Sequence, residues 1–285
     1  MGSNKKAVIH TLLYSHLFNA ALTIEELHYF WQSAHPATLQ EVKDALSSYR
    51  DTIIMKNGYV ALKNYPQTID VSQEKREFSD TKLRLAITVG RYLSLIPSVL
   101  FVGVSGSVAA MNAAQDDDID LFVITADRTL FSSRLLLLLL LQLSGKRRKR
   151  QDAHPNNKFC LNMLVTESGM AFPKKFQDIY TAREIMQLYP LFDRDKTYER
   201  FLEVNSWTHK ILPNAKGRAV NFRQLKKRPY KLLVFFEPIV RSLELLIISS
   251  HKTTETIGND RLAFHPNDAR KTVISQFHER LHDQK

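Results

Sequence analysis

The sequence predicts an α+β protein of three units: a small N-terminal module, a central unit in which strands and helices alternate, and a helical C-terminal domain. Three observations predict it. Residues 1–66 carry helix-opening and hairpin-turning signals in close succession. Residues 98–170 hold short apolar runs separated by a glycine-serine step and a leucine-rich helix. After Phe172 the apolar spacing turns mainly helical. Residues 67–97 join the first two units as a linker and a connecting helix, and residues 171–285 form the last unit.

At 285 residues the chain is long enough for two or three compact units. Its 44% hydrophobic and 24% charged residues are those of a globular protein rather than a disordered one. The net charge of +11 and pI near 9.6 suggest a polyanionic partner such as RNA, DNA or nucleotide phosphates. A single cysteine, Cys160, excludes an internal disulfide framework and a multi-cysteine zinc site, and it reads as a buried, inert thiol. The opening residues carry no signal-peptide pattern, and a cytoplasmic protein is expected. Seven consecutive leucines, 135–141, imitate a membrane span. The run is far short of the roughly 20 apolar residues that cross a bilayer. It is expected to be a core helix ending near Gly145, with no membrane contact.

In the N-terminal module, residues 7–18 are an apolar-rich helix. Thr23-Ile-Glu-Glu26 and Thr38-Leu-Gln-Glu41 are capping-box patterns, each opening a helix of about ten residues. The second helix buries Leu39, Val42, Leu46 and Tyr49. Asn57-Gly58 then turns a hairpin of type I′ geometry. This order resembles a winged helix-turn-helix. Its outward positions hold Gln40, Glu41, Lys43, Asp44, Ser47 and Ser48. Two acids against one lysine suit a phosphate backbone poorly, so a structural or partner-binding role is expected. Residues 65–74 read as the linker, and 75–95 as a helix leading to Pro97.

The central unit is expected to run strand 99–104, short helix 108–114, strand 119–125, the leucine helix and strand 159–165. C-terminal helices are expected at 178–188, 198–211, 230–250 and 266–282, the last capped within His265 to Asp268. Asp118 and Asp120 flank Ile119 and point the same way, because strand side chains alternate. Two carboxylates on one face call for a cation, and hard divalent ions prefer such oxygen ligands together with phosphates. Upstream, Gly106-Ser107 sits where the backbone can approach a ligand closely. Neither a GxGxxG loop nor a GxxxxGKS/T loop occurs, and the ten histidines show no metal-ligand spacing.

Gly106-Ser107, a ten-residue gap and Asp118-Ile-Asp120-Leu121 resemble the signature of the DNA polymerase β-like nucleotidyltransferase superfamily, over residues 99–165. The resemblance implies that Gly106 and Ser107 contact a triphosphate, and that Asp118 and Asp120 hold Mg²⁺ or Mn²⁺. It implies transfer of a nucleoside monophosphate from an NTP to an acceptor hydroxyl on an RNA end, a protein or a small molecule. The family's third carboxylate is replaced by Asn162, which can ligate a metal but cannot act as a base. Either the metal suffices, or a residue such as Glu167 supplies the carboxylate. Otherwise the chain is a non-catalytic nucleotide- or nucleic-acid-binding regulator. Asp116 and Asp117 read as turn residues, Asp117 with a supporting role. Lys146, Arg147, Arg148, Lys149 and Arg150 are candidate phosphate or acceptor contacts. A second basic group comprises Lys216, Arg218, Arg223, Lys226, Lys227, Arg228 and Lys231. Arg183 and Glu184 read as an ordinary helix salt bridge.

Overall fold

The N-terminal module begins with helix α1 (Gly2–His16) and a short strand β1 (Leu22–Thr23). Both capping boxes form. Thr23 Oγ1 accepts from the Glu26 N–H and Glu26 accepts from the Thr23 N–H, opening α2 (Ile24–Tyr29). Thr38 and Glu41 do the same for α3 (Leu39–Ser47). The nine-residue α3 has about the expected length, whereas α2, at six residues, is shorter. Val42 and Leu46 are buried with Leu27, Trp31 and Val60, while the outward residues of α3 are exposed as expected. Strands β2 (Ile53–Lys56) and β3 (Tyr59–Leu62) pair antiparallel, and β1 completes a three-stranded sheet on the other side of β3. Asn57 and Gly58 both have positive φ, +54° and +79°, as a type I′ turn requires.

The computed structural model describes the chain apart from residues 1, 50, 150, 151, 153, 154, 220–224, 227, 250–255, 264–268 and 283–285. The expected linker at 65–74 is helical. Helix α4 (Gln67–Leu93) starts directly after Pro66 and is 27 residues long, about 40 Å. Proline is tolerated at a helix start, where its missing N–H would have no partner. Ile69 is buried against Ala21, Tyr59 and Ala61, and Ser72 Oγ accepts from the Ala21 N–H at 2.7 Å. The first turns of α4 therefore pack on the module.

The far end of α4 covers a second sheet. It contains β4 (Val99–Val104), β5 (Ile119–Thr125) and β6 (Phe159–Thr166), with a short helix α5 (Gly106–Ala109) after β4 and α6 (Leu130–Leu143) after β5. Strands β4 and β5 run antiparallel, β5 and β6 parallel. The leucine helix is not wholly core: Leu137 and Leu141 are buried, whereas Leu135, Leu139 and Leu143 are exposed. Among the described residues, no helix is long and apolar enough to cross a membrane.

The C-terminal part is less helical than expected. After α7 (Ile179–Gln187), β7 (Tyr189–Asp193) joins the edge of the sheet beside β4. An edge strand tolerates its Pro190. The expected helix 198–211 is α8 (Thr197–Val204) followed by a 3₁₀ turn at Ser206–Lys210. Asn205 separates them, because its buried side chain bonds the backbone of Phe172, Met170 and Phe201. Helix α9 (Lys231–Ser249) packs on α6, and its Glu237 accepts from the N–H groups of Phe131 and Ser132 at 2.8 Å each. Strands β8 (Thr256–Ile257) and β9 (Arg261–Ala263) extend the sheet beyond β6, giving the order β7-β4-β5-β6-β9-β8. Helix α10 (Ala269–His282) returns to α1, where Phe277 meets Tyr14 edge-on at 5.4 Å. The expected cap at 265–268 lies outside the described residues. The whole is a mixed α+β structure with two sheets.

Candidate functional site

Strand β4 ends in a turn that brings both halves of the sequence motif into contact. Gly106 has φ +64°, in the left-handed region, and a Cβ there would stand 2.7 Å from Asp120 Oδ2. Backbone freedom and close approach both require glycine. The helix expected at 108–114 is only the four-residue α5, ended by Met111 at φ +56°.

The acidic run divides into structural and open members. Asp117 accepts from Ser107 Oγ at 2.8 Å and from the Ala114 N–H at 3.0 Å, so it closes the loop as a supporting residue. Ser107 lines the site, but its hydroxyl proton is committed to Asp117. Lys82 of α4, 2% exposed, donates to the carbonyls of Gln115 and Asp117 and to Asn156 Oδ1. Burial lowers its pKa, against the pull of the neighbouring aspartates.

Asp118 and Asp120 are half-buried on either side of the fully buried Ile119. Asp118 is bound by Arg148 at 2.7 Å. The positive charge that the pair demands is thus a guanidinium here. Burial first, and then the charge of Asp118, holds the Asp120 carboxyl far above the usual carboxylate range. The parallel register sets Cys160 beside Asp120, and ligand atoms of Asp118, Asp120 and Cys160 lie within 4.8 Å of one another. Cys160 is half-buried, and burial pushes its thiol up to about 12. It therefore stays protonated, as expected of an inert thiol, but beside the carboxylates.

Asn162, 5% exposed, follows Cys160 by two residues and donates to Ser105 Oγ at 3.3 Å. A cavity of about 250 Å³ is lined by Gly106, Ser107, Asp120 and Asn162 from the core, and by Arg183 and Glu184 from α7. Tyr14 and Phe30 of the N-terminal module line it as well. Its volume lies just below the roughly 300–1,000 Å³ of typical small-molecule pockets.

Sequence reasoning missed Glu184. Its carboxyl is pushed up to about 7 by burial, against the opposing effects of Arg183, Gln187 and the Gly106 N–H. Gln187 donates to it at 2.6 Å. The expected Arg183–Glu184 salt bridge does not form; the Arg183 guanidinium lies 3.6 Å from the Phe30 ring centroid instead. The signal was available, since adjacent residues on a helix do not face each other. Glu167 is not the third carboxylate. It follows β6 at the end remote from Cys160, on the order of 20 Å along the strand, and pairs with Arg200 at 2.6 Å.

Of the basic loop, Arg148 reaches the site. Lys146 and Arg147 hold the chain beside Phe159 through backbone contacts, and the Lys149 N–H is taken by Asp152. Arg150 lies outside the described residues, as do Arg223 and Lys227 of the second group. Arg218 donates to the Ala109 carbonyl at 2.8 Å, and the Lys226 carbonyl accepts from Arg194 at 3.0 Å. Lys216, Lys226, Arg228 and Lys231 are exposed. Compared with known proteins, the chain matches no family model, no curated protein and no solved structure.

Proposed function

We propose that the protein is a metal-dependent nucleotidyltransferase, with β4, α5, β5 and β6 forming a polymerase β-like core. In this reading it transfers a nucleoside monophosphate from an NTP to the hydroxyl of an RNA end, a protein or a small molecule. The observation that carries the reading is the packing of Gly106 against Asp120. A glycine turn and an aspartate-bearing strand, separate in sequence, meet where a Cβ at 106 would strain the backbone and displace the Asp120 carboxyl. The donor set fits the ion: Asp118 and Asp120 offer hard oxygen ligands suited to Mg²⁺ or Mn²⁺. Cys160, a soft sulfur ligand, suits such a hard ion poorly. When bound, the ion would neutralise phosphate charge and favour ionisation of the acceptor hydroxyl.

In the transfer, the acceptor oxygen bonds to the α-phosphorus while the bond to the departing pyrophosphate oxygen breaks. The hydroxyl proton needs a base, which Asn162 cannot be. We assign this role to Glu184, which lines the same cavity and whose carboxyl burial raises to about 7, a range suited to a general base. Asp118 would hold the ion in place of the Arg148 guanidinium that now pairs with it at 2.7 Å. The N-terminal module closes the cavity rather than reading DNA, and the exposed acidic face of α3 suits a protein partner better than a phosphate backbone. We place this NTP-consuming activity in the cytoplasm.

Wild type and the Asp118→Asn/Asp120→Asn variant should be incubated with each labelled NTP, Mg²⁺ or Mn²⁺, cell RNA and lysate protein. Label transfer and pyrophosphate release are expected from wild type and to fall ~100-fold or more in the variant. Asn162 and the Arg148–Asp118 pair favour a second reading, a non-catalytic nucleotide- or nucleic-acid-binding regulator. Metal-dependent NTP binding without transfer would select it. Absence of metal-dependent NTP binding in wild type would sink the nucleotide site in both readings and leave a nucleic-acid- or partner-binding role for the N-terminal module.

A further inference from the structure

The cavity also holds a buried guanidinium that, among the described residues, no ion pair neutralises and whose hydrogen-bonding capacity is largely unused. Arg183 is 7% exposed. Its Nη2 reaches Ser15 Oγ at a long 3.4 Å, and its Nε and Nη1 have no hydrogen-bond partner. Among the described residues, no carboxylate forms an ion pair with it. Glu184 is engaged by Gln187, and Glu26 is taken by Arg76 at 2.5 Å. Arg76 lines the same cavity, and its Nε is likewise unpartnered.

Arg183 stacks on Phe30, with Tyr14 at 5.2 Å. A ring face fixes the plane of a guanidinium but leaves its in-plane N–H groups unused. It also offsets only part of the cost of removing that charge from water. What buried guanidinium groups match best is a planar or tetrahedral oxyanion. The small volume selects a compact ligand.

We propose that this cavity binds a small oxyanion, a phosphate or a carboxylate group, with Arg183 as its counter-charge and Arg76 beside it. The oxyanion lies beside Arg183, in the cavity that Gly106 and Asp120 also line. The site stands without the transferase reading. Within that reading it receives either the end of the nucleotide's phosphate chain or the acidic group of an acceptor, and the two probe families below separate these sources.

The test is calorimetric and thermal-shift titration in EDTA, with inorganic phosphate and tripolyphosphate in one arm and acetate and malonate in the other. Wild type is expected to bind probes of at least one arm and melt at a higher temperature with them. Arg183→Met is expected to weaken that binding at least tenfold. Without a probe, it should melt at or above the wild-type temperature, since a buried charge that no ion pair neutralises among the described residues has gone. Phosphate-type binding points to the nucleotide's phosphates, and carboxylate binding to an acidic acceptor. Equal binding by Arg183→Met, or no binding by wild type in either arm, overturns the proposal. So does an Arg183→Met protein that melts far below wild type while wild type answers no probe, because Arg183 is then a packing pillar. Should Arg183→Met not fold, the Nε–H resonance of Arg183 in wild type decides. It must shift on titration, and an unmoved signal overturns the site. Repeating the titration on Asp118→Asn/Asp120→Asn separates the two readings. Retained anion binding without nucleotide transfer by wild type sinks the transferase alone, and transfer without anion binding sinks the anion site alone.

Discussion

Gly106 lies so close to the Asp120 carboxyl that a Cβ at 106 would stand 2.7 Å from Oδ2. Gly106→Ala strains a left-handed backbone and drives a methyl group into Oδ2. A loss on the order of 2 kcal/mol is expected in urea unfolding, with the nucleotide-dependent activity falling alongside. Glu184 makes a different prediction. Its carboxyl is ordinarily near 4.5 and is held at about 7 in the folded protein. Between those values the native state keeps a proton that the unfolded chain has lost. Stability therefore falls as pH rises through that window, by on the order of 1 kcal/mol per pH unit. Above the window the slope from this group vanishes. Glu184→Gln is expected to flatten it, which urea midpoints at roughly pH 5 and pH 7 would reveal; an unchanged slope would refute the assignment. Gly106, Asp118 and Asp120 were legible because their spacing encodes one turn and one strand. Glu184 and Arg183 were not, because the pair was read as a mutual contact that helix geometry forbids. Glu167 was misplaced because sequence order hides which end of a strand a residue occupies.

At the scale of elements, the clearest case is the docking of α9 on α6. Glu237 caps the neighbouring helix, accepting the Phe131 and Ser132 N–H groups that begin it. A buried carboxylate there satisfies donors that would otherwise have no partner and meets the positive end of the helix dipole. Glu237→Ala is expected to cost about 2 kcal/mol, seen as a lower melting temperature, whereas an exposed substitution such as Leu143→Gln should leave it nearly unchanged. The capping boxes at Thr23 and Thr38 and the Asn57-Gly58 turn were legible because each is local chemistry. The start of α4 was hidden by Pro66, which reads as a break unless the docking of Ile69 is known. Strand β7 was hidden for a related reason: five residues with a proline gain strand identity only from the edge of β4.

Across the whole molecule, long-range contacts matter more than the composition shifts from which three units were inferred. Tyr29 Oη donates to the Met186 carbonyl at 2.9 Å, and Asn112 Nδ2 to the Phe18 carbonyl at 2.9 Å. Asn214 Nδ2 bonds the carbonyls of His28 and Ala37. Such contacts span the N-terminal module, the sheet and the C-terminal region, and periodicity carries no trace of them. Helix α4 adds its own link: Arg76 holds Glu26 of the module, and Lys82, six residues later, holds the acidic loop. An α-helix turns about 100° for each residue, so the interval from 76 to 82 acts as a ruler that fixes angle as well as distance. One alanine inserted after Glu77 would swing the module by about that angle relative to the sheet. It is expected to lower the melting temperature sharply, while an insertion after Asn64, outside the helix, is absorbed. Length in this protein is free to drift in its loops, but along those six residues it is locked.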